Sequence, residues 1–570
     1  MTAGLGGSLV LLSLFALSAL AAEPAEGSSA DAEAWSVSLT DDLEIRYWIK
    51  PERLFDPADV PVFNYVEQVN RFNAVVSRGR WSFDAQWDEV ALFANRYYLD
   101  DTLYLERALV LDAVPNPIPD RFDAYTNLEK VRAKYEVDAG SIAVGDSYVA
   151  FGRGIALNLN RNVDIDIDTS VQGVKTVLRP GAWDITAVAG QLNRQQVFQD
   201  NPNTEIDGDY RHAVAGVRAE RFGLGPADIG AHGVVYDFVE DIGLGPGFEE
   251  LGTGPDVYVG GLTAALYGIG GIDWYLEGDV FGFGEDQAAL SVADPEDPGY
   301  AAYASASFYP GKLVFLVEGK RYFQTDRVNA ELTPELYEVA IAPTLEYERA
   351  ITEDSAAALN SNDQWGTRIQ MDWAAKPGEL TPYVAVGLVR DEELGGLHFN
   401  DAPETIVHPM VGVEWLAGEA SAIINAGHRV DERDGNDAGA DQQTHADAAI
   451  HFPVAVLHGQ INIGAEHYQW GINPLQQQDY TEIETGWTLL YHSTVGVTWY
   501  TDYTTNPLVT SVGNLSDELY GALELQVKPT SSLTMKLFGG AYKAGIRCSG
   551  GQCRTLPGFE GARFSLTGSF

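Results

Sequence analysis

The chain has 570 residues, with 36 Lys and Arg against 82 Asp and Glu, a formal charge of −46. That balance excludes nucleic acid as a natural partner and disfavours docking on an anionic lipid surface. With 45% hydrophobic and 11% aromatic residues and 59 glycines, the sequence is that of a folded protein.

Residues 1–22 read as a secretory signal peptide. An apolar core of about a dozen residues is followed by the small residues Ala19-Leu20-Ala21-Ala22. No Lys or Arg precedes Arg46, which departs from the usual basic start. Residues 23–34 form a short periplasmic segment, and 35–570 a single domain. After residue 22 no stretch is apolar for the roughly 18 residues that a spanning helix needs, so a membrane could be crossed only by a closed barrel.

From Trp35 onward the pattern is strand after strand. "RWSFDAQW" sets Trp81, Phe83, Ala85 and Trp87 against Ser82, Asp84 and Gln86. "IDWYLEGDV" sets Ile272, Trp274, Leu276, Gly278 and Val280 against Asp273, Tyr275, Glu277 and Asp279. The same alternation runs through "QWGTRIQMDW", around Trp487 and Trp499, and into the last residues "GARFSLTGSF". Tight turns are expected at Arg78-Gly79-Arg80, Asp138-Ala139-Gly140, Pro180-Gly181, Leu224-Gly225-Pro226, Gly268-Ile269-Gly270 and Pro310-Gly311. More follow at Pro377-Gly378, Gly418-Glu419, His492-Ser493-Thr494 and Pro529-Thr530. Longer polar connections lie between them. Short and long in alternation is the rhythm of an outer-membrane β-barrel with short periplasmic turns and long external loops. The walk from Trp35 to Phe570 gives an all-β, antiparallel up-and-down barrel of about 24 strands, within a range of 22 to 26. Tandem sandwiches or a solenoid would share the period of two, but the hairpin rhythm shows no linker and no internal repeat.

Charged residues at inward positions define a candidate pore lining. Arg71, Lys130, Arg132, Lys134, Lys175 and Arg179 supply a basic set, and Asp273, Glu277 and Asp279 an acidic one, with Glu482, Glu484, Glu518 and Glu524 further on. Two outcomes are open: opposed walls that set up a transverse field, or charges paired with one another in a wet lumen. So many strands enclose a hole that something must fill. The long, partly apolar segments Leu92 to Phe122 and Gln324 to Asn362 are the expected constrictions.

Asp164, Asp166 and Asp168 share one face of an extended segment and are weak metal candidates; no calcium-loop glycine frames them. His408, His445, His451 and His458 fall on nearby strands with Asp447, but proximity alone does not make a metal centre. Cys548 and Cys553, in "RCSGGQC", are expected to form a local disulfide. Phe564 and Phe570, on a terminal strand ending in an aromatic residue, fit the signal read by the barrel-assembly machinery.

One segment carries a resemblance. Gly145-Asp146, Phe151-Gly152-x-Gly154, an Asp-rich stretch and Val171-x-Gly173-Val174-Lys175, with "APTLEYERAITEDSAAALNSNDQWG" from Ala342 to Gly366, resemble an uncharacterised outer-membrane barrel family, domain of unknown function 6029. The resemblance implies a barrel of this size and no activity.

No GxSxG, HExxH or phosphate loop occurs, so no enzyme and no cofactor are expected. About a dozen residues before Trp35 leave little for a plug domain, which disfavours an energised siderophore transporter. The expected function is a porin-like passive channel for small hydrophilic solutes in the cell outer membrane, touching lipid and lipopolysaccharide. The alternatives are a structural or secretion-associated barrel that anchors a partner, and a barrel hydrolase using the His-rich side.

Overall fold

The computed structural model describes residues 34–51, 62–94, 125–162, 167–194, 212–237, 256–283, 298–323, 363–391, 403–433, 440–469, 479–506, 519–543, 545–549, 552–556 and 558–570. The signal peptide, Asp164, Asp166, Glu518, Ala342 to Asn362 and nearly all of both expected constrictions lie outside these residues.

The chain is a closed barrel of 24 antiparallel strands. Each strand pairs with its neighbour in the chain, and the first closes on the last. Ser36–Pro51 runs against Phe559–Ser569 from Thr40 opposite Ser569 to Trp48 opposite Gly561. At that seam the Phe570 N–H donates to the Leu39 carbonyl (2.8 Å), and the Leu39 N–H donates to the Phe570 carbonyl (2.9 Å). The terminal aromatic residue therefore completes the ring. Phe564 sits between Ile45 and Leu537 on the outward face of the same strand.

The alternation sorts side chains as the sequence dictates. Leu262 is 67% exposed and Val280 57%, while their neighbours Gly261 and Asp279 face the interior. Aliphatic residues such as Val217, Val317, Ile369, Val411 and Leu523 continue the outer belt. Aromatic residues crowd the rim of tight turns: Trp81, Trp183, Tyr267, Tyr309, Trp373, Trp415 and Tyr491 are all exposed there. Tyr47, Tyr258 and Tyr300 are exposed toward the opposite end. A greasy band between two aromatic girdles is a surface made for lipid. Together with closure of the sheet it puts the protein in the outer membrane.

The turns fall where glycine allows them. Gly181 (φ 64°) and Gly311 (φ 66°) adopt the left-handed conformation that lets two strands reverse in a few residues. Two details differ from expectation. The last tight turn is at Ser531-Ser532, because Pro529 and Thr530 still belong to the strand Leu519–Thr530. A further turn at Ala455-Val456 has neither Gly nor Pro, and Ala455 takes φ 55°.

Gly545–Ser549 and Gln552–Leu556 form a small hairpin in which Cys548 lies directly opposite Cys553; the side chains of these two are outside the described set. Directly opposed cysteines are close enough to bridge. Mass spectrometry of the purified, unreduced barrel should show the loss of two hydrogens in the peptide spanning both cysteines. Two free thiols would show the bridge absent.

A charge on the outer band should be costly. Leu262→Arg, in the middle of the strand Asp256–Ile269, should lower barrel stability in lipid vesicles by about 2–4 kcal/mol, or stop assembly. Leu262→Met should cost under about 1.5 kcal/mol in the same denaturant titration. Equal stabilities would mean that this face does not meet lipid.

Candidate functional site

Between the strands Gly140–Ser147 and Ile167–Leu178 the chain does not loop away from the barrel. It turns inward and folds as a small hairpin, Val149–Phe151 against Leu157–Leu159. Phe151, Ile155, Ala156, Leu157 and Leu159 are all essentially buried. They pack on inward side chains of successive wall strands, among them Val188, Val214, Val234, Tyr236, Val259 and Phe281. Those wall residues cluster toward the rim of the long connections. The lumen is thus narrowed from that end by residues 149–159.

Water explains why the hairpin stays inside. Outside the barrel a Leu can rest on lipid, but inside, the alternative is water. Each fully buried Leu, Ile or Phe of the hairpin then contributes about 1.5–3 kcal/mol. The sequence supports this locally. In "VAFGRGIALNL" the buried Val149, Phe151, Leu157 and Leu159 share one face and the exposed Ala150 and half-buried Asn158 the other, as suits a piece laid by one face on the wall.

Polar contacts fix its ends. At the tip, Gly152 (φ 56°) and Gly154 (φ 94°) make the turn, and the Gly154 N–H donates to the Phe151 carbonyl (2.9 Å). The Arg153 N–H donates to the Glu277 carboxylate at 2.9 and 3.2 Å, and its guanidinium lies 3.9 Å from the Tyr303 ring centroid. A Cβ on Gly152 would stand 2.0 Å from a Glu277 oxygen, so glycine is the residue that allows this contact. Along the returning arm, the Tyr236 hydroxyl donates to the Ala156 carbonyl (2.6 Å).

At the root, Tyr148 donates to Asp168 (2.5 Å), and Lys130 pairs with the same carboxylate. Burial, reinforced by Asp168, pushes the Tyr148 phenol above its usual range, so it stays a donor. Lys175 donates to the Tyr148 carbonyl. Asp146 accepts from the Val131 N–H (2.8 Å), Ser170 (3.0 Å) and Asn193 (2.7 Å).

The lumen residues proposed from the sequence divide accordingly. Lys130 and Lys175 hold the hairpin root. Arg71 is buried against Asp88 (3.1 Å) and Arg132 bonds Asp84 (2.7 Å), while Lys134 pairs with Glu136. Glu277 and Asp279 lie on the wall beneath the hairpin tip. Arg179 and Asp273 belong to the tight-turn rim. Arg179 is largely exposed beside Asp184, and Asp273 accepts the Gly268 N–H (2.7 Å). Asp168, a weak metal candidate, is instead occupied by Lys130, Tyr148 and Arg161.

The opposed basic and acidic walls do not form. Charges pair with one another instead, across neighbouring strands as in Arg368 with Glu318 (2.9 Å), along one strand as in Lys134 with Glu136, and over two intervening strands in Lys543 with Glu482 and Glu484. Burial works against the Lys543 charge, but the two glutamates outweigh it and hold the ammonium above its usual range.

The histidines also separate. His408 and His445 meet at Nε2 (2.8 Å), with His445 Nδ1 3.2 Å from Asp447, whereas His451 and His458 are exposed. Sequence reasoning overlooked a different group, His232 with Glu277 and Asp279, whose ligand atoms lie within 4.8 Å of one another.

No protein-family model matches the chain, and no curated protein matches it. Among solved structures, the outer membrane protein OpdK of Pseudomonas aeruginosa is 13% identical, with 73% of this chain and 98% of that one covered (TM-score 0.35). The siderophore receptor PirA of the same organism is 8% identical over 94% of this chain and 80% of that one (TM-score 0.43). The translocation pore of the P pilus usher PapC is 8% identical over 93% and 99% (TM-score 0.40). The likeness is one of barrel architecture.

Gly152→Ala should detach the hairpin tip from Glu277 while leaving the wall intact. Amide hydrogen exchange across residues 151–157 should accelerate at least about tenfold, the equivalent of losing one hydrogen bond to a charged group. Exchange in the strand Ile272–Phe283 should not change. Unaltered exchange at the tip would remove the Glu277 contact from the account.

Proposed function

We propose that the protein is an outer-membrane channel for small hydrophilic solutes, narrowed from within by the hairpin Val149–Leu159. The observation that carries this reading is the contrast between two parts of the interior. One part of the wall is apolar and covered by the hairpin. Another part carries charged and hydrogen-bonding side chains, including Asp84, Arg132, Glu524 and Arg563, that are half-buried and suited to water. A ring of 24 strands without an inner segment would leave a lumen wider than that of 16–18-stranded porins. The hairpin reduces that opening and presents Arg153 at its tip, so solute selection would be set there. On the same reading, transport is passive and the terminal strand ending at Phe570 is delivered by the barrel-assembly machinery.

Single-channel recording in planar bilayers tests this. The wild-type barrel should give discrete conductance steps. A variant with residues 149–159 replaced by a short Gly-Ser linker should give steps several-fold larger. No steps from either folded protein would end the channel reading, and equal steps would show that the hairpin is not the constriction.

A further inference from the structure

We propose that His232, Glu277 and Asp279 form a binding site for one divalent transition-metal ion in the lumen wall, at the foot of the hairpin tip. Three adjacent strands build it. His232 on Ala227–Asp237, Gly261 on Asp256–Ile269 and Asp279 on Ile272–Phe283 stand in one row across the sheet. The middle position is glycine, so the outer two side chains reach across it. His232 Nε2 and Asp279 Oδ1 meet at 2.6 Å above Gly261. A Cβ there would lie 2.0 Å from that oxygen and 2.3 Å from that nitrogen. Glu277, two residues before Asp279, faces the same way. One ligand atom from each of the three lies within 4.8 Å of the other two.

Two further observations point to a ligand. The side chains of His232 and Asp279 are both 0% exposed, yet Asp279 Oδ2, on the carboxylate that meets His232 Nε2, has no hydrogen-bond partner. An orphaned buried polar atom costs about 1–3 kcal/mol, more when it is charged. The charge balance is also incomplete. Glu277 accepts from the Arg153 N–H and the Tyr275 hydroxyl (2.6 Å), but no Lys or Arg side chain among the described residues pairs with either carboxylate. Two buried carboxylates beside one imidazole are balanced by a dication. One nitrogen and two carboxylate donors suit Zn²⁺ and its first-row neighbours, at about 2.0–2.2 Å. Ca²⁺ would require six or more oxygens. Because Glu277 also accepts the Arg153 N–H, a bound ion would sit where the hairpin tip meets the wall.

The test is Zn²⁺ titration, by calorimetry, of the folded full-length barrel in detergent after chelator treatment. The expected result is one Zn²⁺ per barrel, with affinity lowered at least about tenfold in His232→Gln, Asp279→Asn and Gly261→Ala. His408→Asn, on the other histidine pair, should leave it unchanged. Heat-dependent gel migration shows which variants are folded. Should the His232 variants fail to fold, the wild-type protein still decides, because Co²⁺ bound through one nitrogen and two carboxylates gives a visible absorption that displaces with Zn²⁺. No Zn²⁺ uptake, uptake indifferent to His232→Gln, or uptake lost in His408→Asn would overturn the proposal.

Discussion

In the hydrocarbon of a bilayer no water is present to satisfy a free backbone N–H or C=O, so a sheet that enters must have no edge. Everything else in this protein follows from that requirement. The strand Ser36–Pro51 has to find Phe559–Ser569, and the paired bonds between Leu39 and Phe570 are where the ring shuts. Closing 24 strands has a geometric consequence. The circumference sets a diameter that wall side chains cannot span, so the fold leaves an interior that must be filled by another part of the chain or by water.

The two sides of the wall then obey different physics. Outside, Leu262 and Val280 need no protein partner, because lipid tails are as apolar as they are. Inside, water is the competitor, and apolar side chains there must cover one another. Val214, Tyr236, Val259 and Phe281 would be poor lumen residues if bare. They are accounted for by the hairpin that lies on them. Where the hairpin does not reach, the wall carries a second apolar cluster, Trp48, Phe538 and Phe559, and many charged residues paired with opposite charges on the same strand or on other strands. Pairing of this kind keeps a lumen hydrated without building a large field across it. The boundary between the dry and wet sectors runs past Glu277, which touches the hairpin tip from one side and the His232–Asp279 pair from the other.

The wall was legible in the sequence and the interior much less so. Period-two alternation is local, and glycine or proline marks most reversals, so strand number, closure and the short-turn rim could be read directly. Ala455-Val456 escaped because nothing in its composition announces a turn. Lys130 was read as pore lining because its own strand shows only which way it points; that it anchors Tyr148 and Asp168 depends on a segment 38 residues away. The hairpin left little signal of its place: Val149, Phe151, Leu157 and Leu159 alternate with Ala150 and Asn158 as residues of a wall strand do, so the sequence alone does not separate an inner segment from the wall. The set of His232, Glu277 and Asp279 left the weakest trace, since it depends on the register of three strands and on the missing side chain of Gly261.

Electron cryomicroscopy of the wild-type barrel in lipid nanodiscs observes directly where the hairpin lies. Density for residues 149–159 should lie within the ring, with Phe151 and Leu157 against Val214, Tyr236 and Phe281. Density for that segment outside the ring, or a wall whose apolar inner sector faces open solvent, would contradict this placement.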